Sequence, residues 1–289
     1  MDSFYIKIDK LQPSQLYINK EKLKKVDNYL SSINLDEMTP LPVKKIGNNL
    51  FLTDGHTRAY VLNKKGKENV KVYYDEDELD WLQYLICVNW AKESGIHKIS
   101  DLENKIIEND KYKNLWINKC EKMQEDIEND VFKYIDFEVV NNKDEKSKIC
   151  YNIIDKLDNW FGKEDTNRKY AKGVREDFFL TAKIKEEAVG FISIKEHNEF
   201  TSEIYVLGIL KEFHKRGIGK RLIEIAKDKL VKDKKKFLTV KTLSGSNPNK
   251  YYKKTRKFYK AMDFYPLEEM PELWSEEEPC LYMLKTLSN

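Results

Sequence analysis

The sequence has no long apolar run and few cysteines. No stretch approaches the roughly 18 apolar residues of a membrane-spanning helix, and residues 1–10 lack the apolar region of a signal peptide. The four cysteines are scattered without a Cys-x-x-Cys pair, which argues against a zinc site and favours reduced thiols. These absences predict a cytoplasmic enzyme without a membrane partner.

Neither the net charge nor internal repeats give a strong indication of function. The 52 basic and 49 acidic side chains leave a formal net charge of +3, so a nucleic-acid partner is not expected. No internal repeat or low-complexity linker is present. At 289 residues the chain is nevertheless long enough for two domains, each with its own core.

The most informative segment joins an apolar strand, a basic glycine turn and a helix. Residues 187–195 and 202–210 read as two strands, and His214-Lys-Arg-Gly217-Ile-Gly219 follows them. After Gly219, apolar residues recur at helical spacing. The dinucleotide fingerprint Gly-x-Gly-x-x-Gly is not matched. Glycines without side chains and the unpaired N–H groups of a helix N-terminus still favour an anion such as a pyrophosphate.

These residues resemble the coenzyme-binding signature of the GNAT superfamily of acyl-CoA-dependent N-acetyltransferases. The family signature usually begins with Gln or Arg, where this chain has His214. Residues 236–243 resemble the next strand of the family, 255–264 the helix that carries its tyrosine, and 273–287 its last strand. The resemblance implies an α/β (α+β) fold, with a mixed, splayed sheet flanked by helices, over residues 136–289.

The resemblance also implies a reaction. Acetyl-CoA would donate its acetyl group to a primary amine of a small molecule or peptide, by direct attack on the thioester. Because an alkyl amine of pKa near 10.4 is only about one part in 10³ neutral at pH 7, a base is needed, and Glu203 is the candidate. Tyr259 is the candidate acid for the departing thiolate. The predicted coenzyme-binding residues are Leu207, Gly208, Ile209, His214, Lys215, Arg216, Gly217, Ile218, Gly219, Lys220 and Arg221.

Each catalytic assignment has a structural alternative. Glu203 is alternatively an outward carboxylate on a half-buried strand, and Tyr259 a core tyrosine beside Phe258. The family often has Asn seven residues before the tyrosine and Gly before the final Phe, where this chain has Tyr252 and Asp263. These departures leave open a second function, that of a non-catalytic regulatory protein that senses acyl-CoA and nucleotide.

The acceptor side is predicted in outline. Residues 149–174, interrupted at Trp160-Phe161-Gly162, are expected to form a helix, a turn and a helix that wall the acceptor pocket in this family. An acidic run would attract a cationic amine if it lined that pocket, and would otherwise be a solvated loop. It consists of Glu268, Glu269, Glu272, Glu276, Glu277 and Glu278.

The first 78 residues alternate strand and helix patterns around a second glycine turn. They resemble the ParB/sulfiredoxin-like domain, and the closest pattern is the Asp-Gly-His-His-Arg motif of its free-serine kinases. The resemblance implies a nucleotide or phosphate site, or a kinase-like domain to which the GNAT domain is accessory. The alternative is a degenerate domain in which Asp54 and His56 merely cap a helix. The residues of the predicted site are Asp54, Gly55, His56, Thr57 and Arg58.

Residues 79–135 are predicted to form a helical connector between a small α/β domain at 1–78 and the domain at 136–289. The acidic stretch 75–80 is expected to begin its first helix, and the capping-box pattern Ser100–Glu103 its second. A DNA-reading helix pair is the alternative. The exposed positions alternate in sign instead of forming a basic face, which favours the connector.

Overall fold

A computed structural model describes residues 2–47 and 49–287 of the chain. The chain divides into two compact units, Met1–Tyr134 and Ile135–Asn289. The predicted connector, apart from its last residue, therefore lies within the first unit. Within the described ranges, no helix is both long and apolar enough to cross a membrane.

The first unit is built on a small mixed sheet. Its strands lie in the order β1-β5-β3-β4, and β3 pairs in parallel with β5 while the other pairs are antiparallel. Leu41 and Val43 of β3 and Val70 and Val72 of β5 are buried, as alternate positions of half-buried strands should be. The elements in order are β1 (Ser3–Lys7), β2 (Ile18–Asn19), α1 (Lys20–Ser32), β3 (Leu41–Ile46), β4 (Asn49–Leu52), α2 (His56–Lys64) and β5 (Asn69–Tyr74).

Helices complete this unit. They are α3 (Trp81–Glu93), α4 (Asn109–Tyr112) and α5 (Asn118–Asn129), and the short strand β6 (Ile106–Ile107) pairs in parallel with β2. The acidic stretch precedes α3 instead of beginning it. Asp80 caps the helix by accepting from the Leu82 N–H at 3.1 Å, whereas Asp75 is buried and accepts from the Thr53 hydroxyl at 2.5 Å. The expected second helix start is a 3₁₀ turn, Ile99–Lys105.

The second unit is a mixed sheet flanked by helices, as predicted for this half of the chain. The strand order is β12-β13-β11-β10-β9-β8-β7, and neighbours are antiparallel except β10 and β11. Parallel neighbours require a crossover, which α8 supplies. The elements are β7 (Asp136–Val139), α6 (Lys143–Ile154), α7 (Glu164–Gly173), β8 (Phe178–Ile184), β9 (Glu187–Glu196), β10 (Thr201–Ile209), α8 (Ile218–Lys232), β11 (Phe237–Leu243), α9 (Lys250–Ala261), β12 (Tyr265–Ser275) and β13 (Glu278–Thr286).

The C-terminal segment differs from the prediction of a single last strand. Residues 273–287 contain the end of one strand and the whole of the next, because β12 and β13 form a long hairpin. β12 lies at the end of the described strand order and is exposed along nearly all its length. Tyr265 and Trp274 are 68% and 43% exposed. All six glutamates of the acidic run are exposed on this hairpin.

Candidate active site

The glycine turn sets the backbone at the start of α8. Lys215 and Gly217 both adopt left-handed conformations, with φ of 61° and 78°. Gly217 is the N-cap residue of α8, and no described side chain caps this helix. The N–H groups of the first turn therefore keep their hydrogen-bonding capacity at the positive end of the helix dipole. This backbone arrangement suits an anion.

His214 folds back onto the strand that precedes the turn. Its Nε2 donates to the Ile209 carbonyl at 2.8 Å, and its ring packs edge-on against Trp160 with centroids 5.7 Å apart. Burial lowers the pKa of His214, although the bond to Ile209 acts in the opposite direction. The side chain at the first position of the signature thus fastens the turn to the end of β10.

Gly219 allows close packing of protein groups. A Cβ at this position would lie 3.0 Å from both Ile209 Cδ1 and Phe258 Cζ. From the sequence, this space is expected to admit an approaching ligand. In the structure, the side chains of Ile209 and Phe258 fill it, so the glycine permits α8 to approach β10 and α9.

Strands β10 and β11 diverge beside the turn. Their parallel pairing runs from Thr201 opposite Phe237 to Ile204 opposite Val240 and ends there, although both strands continue. On its other edge β10 stays paired with β9, with a bulge between Ile204 and Val206. A wedge therefore opens between residues 205–209 and 241–243, and its edges carry backbone N–H and C=O groups.

Glu203 lies buried at the narrow end of this wedge. Its side chain is 6% exposed, and its two oxygens accept from Lys241 Nζ at 3.0 and 2.8 Å. Oε2 is also 2.6 Å from His197 Nε2. Two basic partners offset the cost of removing the carboxylate from water. The Glu203 carboxylate is therefore buried and paired, in contrast to the alternative of an outward carboxylate.

Lys241 and His197 were not predicted as site residues. Glu203 pairs with Thr239, and Lys241 lies two residues further along β11, on the same face. This contact depends on the register of two strands distant in sequence. His197 had a local signal, because Glu196 pairs with Ser202 and the hairpin turn thus brings residue 197 close to Glu203.

Tyr259 projects from α9 into the core and is 5% exposed. Its ring lies 5.4 Å from that of Phe258 and 5.5 Å from that of Phe264. Burial raises the pKa of Tyr259, and the nearby Tyr252 and Tyr170 raise it further. The phenol is therefore protonated at neutral pH, as a proton donor must be.

The two departures from the family's tyrosine motif have local explanations. Tyr252 donates its hydroxyl to the Trp160 carbonyl at 2.8 Å, and Trp160 Nε1 donates to Thr255 Oγ1 at 3.0 Å. These bonds fix the turn between α6 and α7 onto α9. Asp263 is left-handed, with φ of 60°, and its carboxylate lies 3.1 Å from Lys285 Nζ. Aspartate tolerates this conformation better than most residues.

The predicted helix, turn and helix on the acceptor side are present as α6, the turn at 155–163 and α7. Tyr170 of α7 packs on Tyr205 of β10, with ring centroids 5.5 Å apart. Burial raises the pKa of Tyr170 to about 12, with further contributions from its neighbours Tyr205, Cys150, Glu203 and Cys280. An aromatic wall therefore lies near the buried carboxylate.

The cations around the glycine turn are only partly neutralised. Lys220 Nζ and Arg221 Nη1 each lie 3.8 Å from the carboxylate of Glu224. Both pairs are exposed, so they are weak and leave the cations available to another anion. Lys215 is exposed beside them.

The glycine turn of the first unit has a different setting. Gly55, with φ of 81°, is the N-cap residue of α2, and no side-chain cap hydrogen bond is described for that helix. His56 and Thr57 are 6% and 3% exposed. Ser14 N–H donates to His56 Nε2 at 3.0 Å, and burial lowers the pKa of His56 to about 4. In the predicted site, the Asp54 side chain is therefore exposed, and the Arg58 side chain, 3.8 Å from its carboxylate, is partly exposed.

The wedge between the parallel strands lies beside an uncapped helix start, a geometry that suits an extended ligand with an anionic portion. The model of the acetyltransferase (GNAT) family matches residues 148–264, which include the glycine turn, Glu203 and Tyr259. The predicted GNAT resemblance is confirmed for this segment, which makes up less than half of the chain. No curated protein matches the sequence.

Several solved structures resemble about half of the chain. One described as a GNAT-family acetyltransferase from Desulfovibrio desulfuricans has 12% identity and a TM-score of 0.47, covering 53% of this chain and 99% of its own. A GNAT acetyltransferase from Elizabethkingia anophelis with acetyl-CoA bound has 17% identity and a TM-score of 0.41, covering 53% and 99%. An aminoglycoside 6'-N-acetyltransferase complexed with coenzyme A has 17% identity and a TM-score of 0.42, covering 54% and 97%. These likenesses are too distant to assign a substrate.

Proposed function

We propose that residues 136–289 form an N-acetyltransferase domain that transfers an acetyl group from acetyl-CoA to a primary amine. The observation that carries this proposal is the divergence of β10 and β11 directly beside the left-handed turn that opens α8. The wedge suits the amides of an extended pantetheine arm, and the uncapped helix start suits a pyrophosphate. The family match over residues 148–264 supports the same function.

Coenzyme binding would rest mainly on the backbone. His214 would contribute main-chain groups, because its ring is already bonded to Ile209. The strand residues Leu207, Gly208 and Ile209 border the wedge. The turn residues Gly217, Ile218 and Gly219 would offer N–H groups, and the charged residues near the phosphates would be Lys215, Arg216, Lys220 and Arg221.

Glu203 is the proposed base for the amine. Acetyl-CoA, when bound, supplies the acetyl group as a thioester, whose carbonyl carbon the neutral amine attacks directly. The Glu203 carboxylate would take the proton of the ammonium form, directly or through water. Lys241 holds this carboxylate in position, and His197, with its side chain 36% exposed, connects it to solvent.

Tyr259 is the proposed acid. Its hydroxyl is protonated at neutral pH and can donate to the departing sulfur. A thiolate whose acid has a pKa of about 8.5 is already a good leaving group. Loss of the hydroxyl should therefore cost less activity than loss of the Glu203 carboxylate.

Calorimetry with coenzyme A, followed by turnover assays over an amine panel, tests the proposal. We expect binding and release of free thiol, with Tyr259→Phe reducing turnover and leaving affinity unchanged. Tyr5→Phe is the matched control, because this tyrosine is 66% exposed in the first unit. Absence of binding at high micromolar coenzyme would overturn the proposal. Binding without turnover of any amine would favour the non-catalytic acyl-CoA sensor.

For the first unit, the ParB/sulfiredoxin-like resemblance and the site at Asp54–Arg58 stay predictions. The exposed Asp54 and the nearby Arg58 are the groups that could meet a nucleotide or phosphate. Thermal unfolding with ATP, ADP and CTP tests them. Unchanged stability with all three nucleotides would count against this site.

A further inference from the structure

Two helices of the first unit pack in a defined antiparallel register. Gln124 Nε2 of α5 donates to Gln83 Oε1 of α3 at 3.1 Å. Lys119 Nζ of α5 lies 4.2 Å from the ring centroid of Trp90 on α3. The contact further along α3, at Trp90, is made by the earlier residue of α5, Lys119, so the two helices are antiparallel.

Two cysteines face each other within this register. Cys87 lies one helical turn after Gln83, and Cys120 lies one turn before Gln124. Both thiols are free, and they are close enough for each to shift the pKa of the other. Cys87 is 7% exposed and Cys120 is partly exposed. Cys120 is thus accessible to small reagents, whereas Cys87 is buried.

We propose that Cys87 and Cys120 form a peroxide-responsive modification site, at which oxidation links α3 to α5 through a disulfide. This inference does not depend on the proposed acetyl transfer, which concerns the second unit. A disulfide requires the two Cβ atoms to lie about 4 Å apart, and facing positions on packed antiparallel helices favour such an approach.

Cys120 is the thiol that peroxide meets first. The neighbouring Cys87 thiol lowers the pKa of Cys120, whereas the Cys120 thiol and burial raise the pKa of Cys87. The Cys120 thiolate attacks one oxygen of hydrogen peroxide, forming an S–O bond and breaking the O–O bond, and hydroxide leaves as water after protonation. The Cys87 sulfur then attacks the sulfenic sulfur, forms the S–S bond and releases a second water. Two thiols and one peroxide give one disulfide and two waters.

The other two cysteines should remain thiols. Cys150 and Cys280 are both fully buried in the second unit. Burial raises the pKa of Cys150 to about 12 and that of Cys280 to about 11, so little thiolate is available at either position. Oxidation should therefore be confined to the pair in the first unit.

Mass spectrometry of the full-length protein tests the site. The protein is freed of reductant, exposed to a modest excess of hydrogen peroxide, and alkylated under denaturing conditions. We expect two alkylated cysteines instead of four, an intact mass lower by about 2 Da before alkylation because two hydrogens leave, and a cross-linked peptide pair containing Cys87 and Cys120. Four surviving thiols, a different pairing or cross-links only between chains would overturn the proposal.

Cysteine variants separate the two roles. Cys87→Ser should leave a Cys120 sulfenic acid that dimedone traps, and Cys120→Ser should prevent both the trap and the cross-link. Cys280→Ala is the control and should leave the cross-link intact. The result for the unaltered protein decides the proposal even if a variant does not fold.

Discussion

The two units each contain a helix that begins at a left-handed glycine without a described side-chain cap, yet the surroundings of the two turns differ. After Gly55, the side chains of His56 and Thr57 enter the core. Before Gly217, Lys215 and Arg216 follow a strand whose parallel pairing has already ended. A free helix N-terminus is therefore common to both turns. The open wedge and the surrounding cations are what make the second turn a candidate ligand site.

The largest expected effect concerns the proposed acetyl transfer, which we place in the second unit. Glu203→Gln keeps the shape of the side chain and removes the base, so kcat/KM should fall by about 10³-fold. Asp54→Asn, at the first turn, should leave kcat/KM unchanged. Steady-state kinetics with an accepted amine measures both. Comparable losses in the two variants would contradict the assignment.

A second prediction concerns the structural character of the first turn. The folded-state pKa of His56, about 4, is below its ordinary value of 6.5, so the unfolded chain binds more protons between these values. Stability is therefore fully present above pH 6.5 and falls as the pH drops towards 4, by about 3 kcal/mol in all. Denaturant unfolding of wild type and His56→Gln at pH 7 and 4.5 measures this difference. The glutamine oxygen can still accept from Ser14, and an equal loss in both proteins would refute the prediction.

The same substitution, glycine to alanine, can be made at both turns and its effects compared. Alanine at either position strains a left-handed backbone, but at residue 55 its Cβ would also lie 2.7 Å from Leu41 Cδ2. Gly55→Ala should lower the melting temperature and leave coenzyme A affinity intact. Gly217→Ala should weaken coenzyme A binding by about 10²-fold, because the turn that positions the N–H groups is distorted. Calorimetry and thermal unfolding of both variants measure these effects. Weaker coenzyme A binding by Gly55→Ala, or unchanged binding by Gly217→Ala, would contradict the assignment.

The smallest effect should come from the arginines. Arg216→Ala should weaken coenzyme A binding by about fivefold at low salt and less at high salt, since exposed charge contacts contribute up to about 1 kcal/mol and are screened. Arg58→Ala should leave coenzyme A affinity unchanged at every salt concentration. A salt-independent loss for Arg216→Ala would indicate that the arginine supports the turn without contacting a phosphate.

Much of the second unit was predictable because its signals are local. The hairpin of β9 and β10, the basic glycine turn and the amphipathic helix α8 each follow from residue periodicity within a short window. The helix carrying Tyr259 was predicted from the resemblance to the GNAT family. The burial of individual side chains was harder to predict. For example, the sequence around Glu203 on its half-buried strand is equally consistent with a solvated carboxylate.

The features that the sequence did not predict depend on contacts between segments that are distant in the chain. The ion pair of Glu203 with Lys241 requires the register of β10 and β11, and the packing of Gly219 against Phe258 requires the position of α9. The strand β12 was missed because its sequence contains Pro266 and Pro271, which disfavour a strand, and because glutamates outnumber β-branched residues. In that segment, pairing with β13 forms a strand although the local sequence has only a weak preference for one.

The exposed strand β12 has a consequence for the behaviour of the protein at high concentration. An outer strand presents backbone groups that can pair with a second molecule and start a growing assembly. Pro266 and Pro271 have no N–H to offer, and the nearby glutamates would repel the same strand of another copy. The acidic hairpin is therefore built to resist edge-to-edge aggregation, which lets Tyr265 and Trp274 stay exposed without becoming a seed for it.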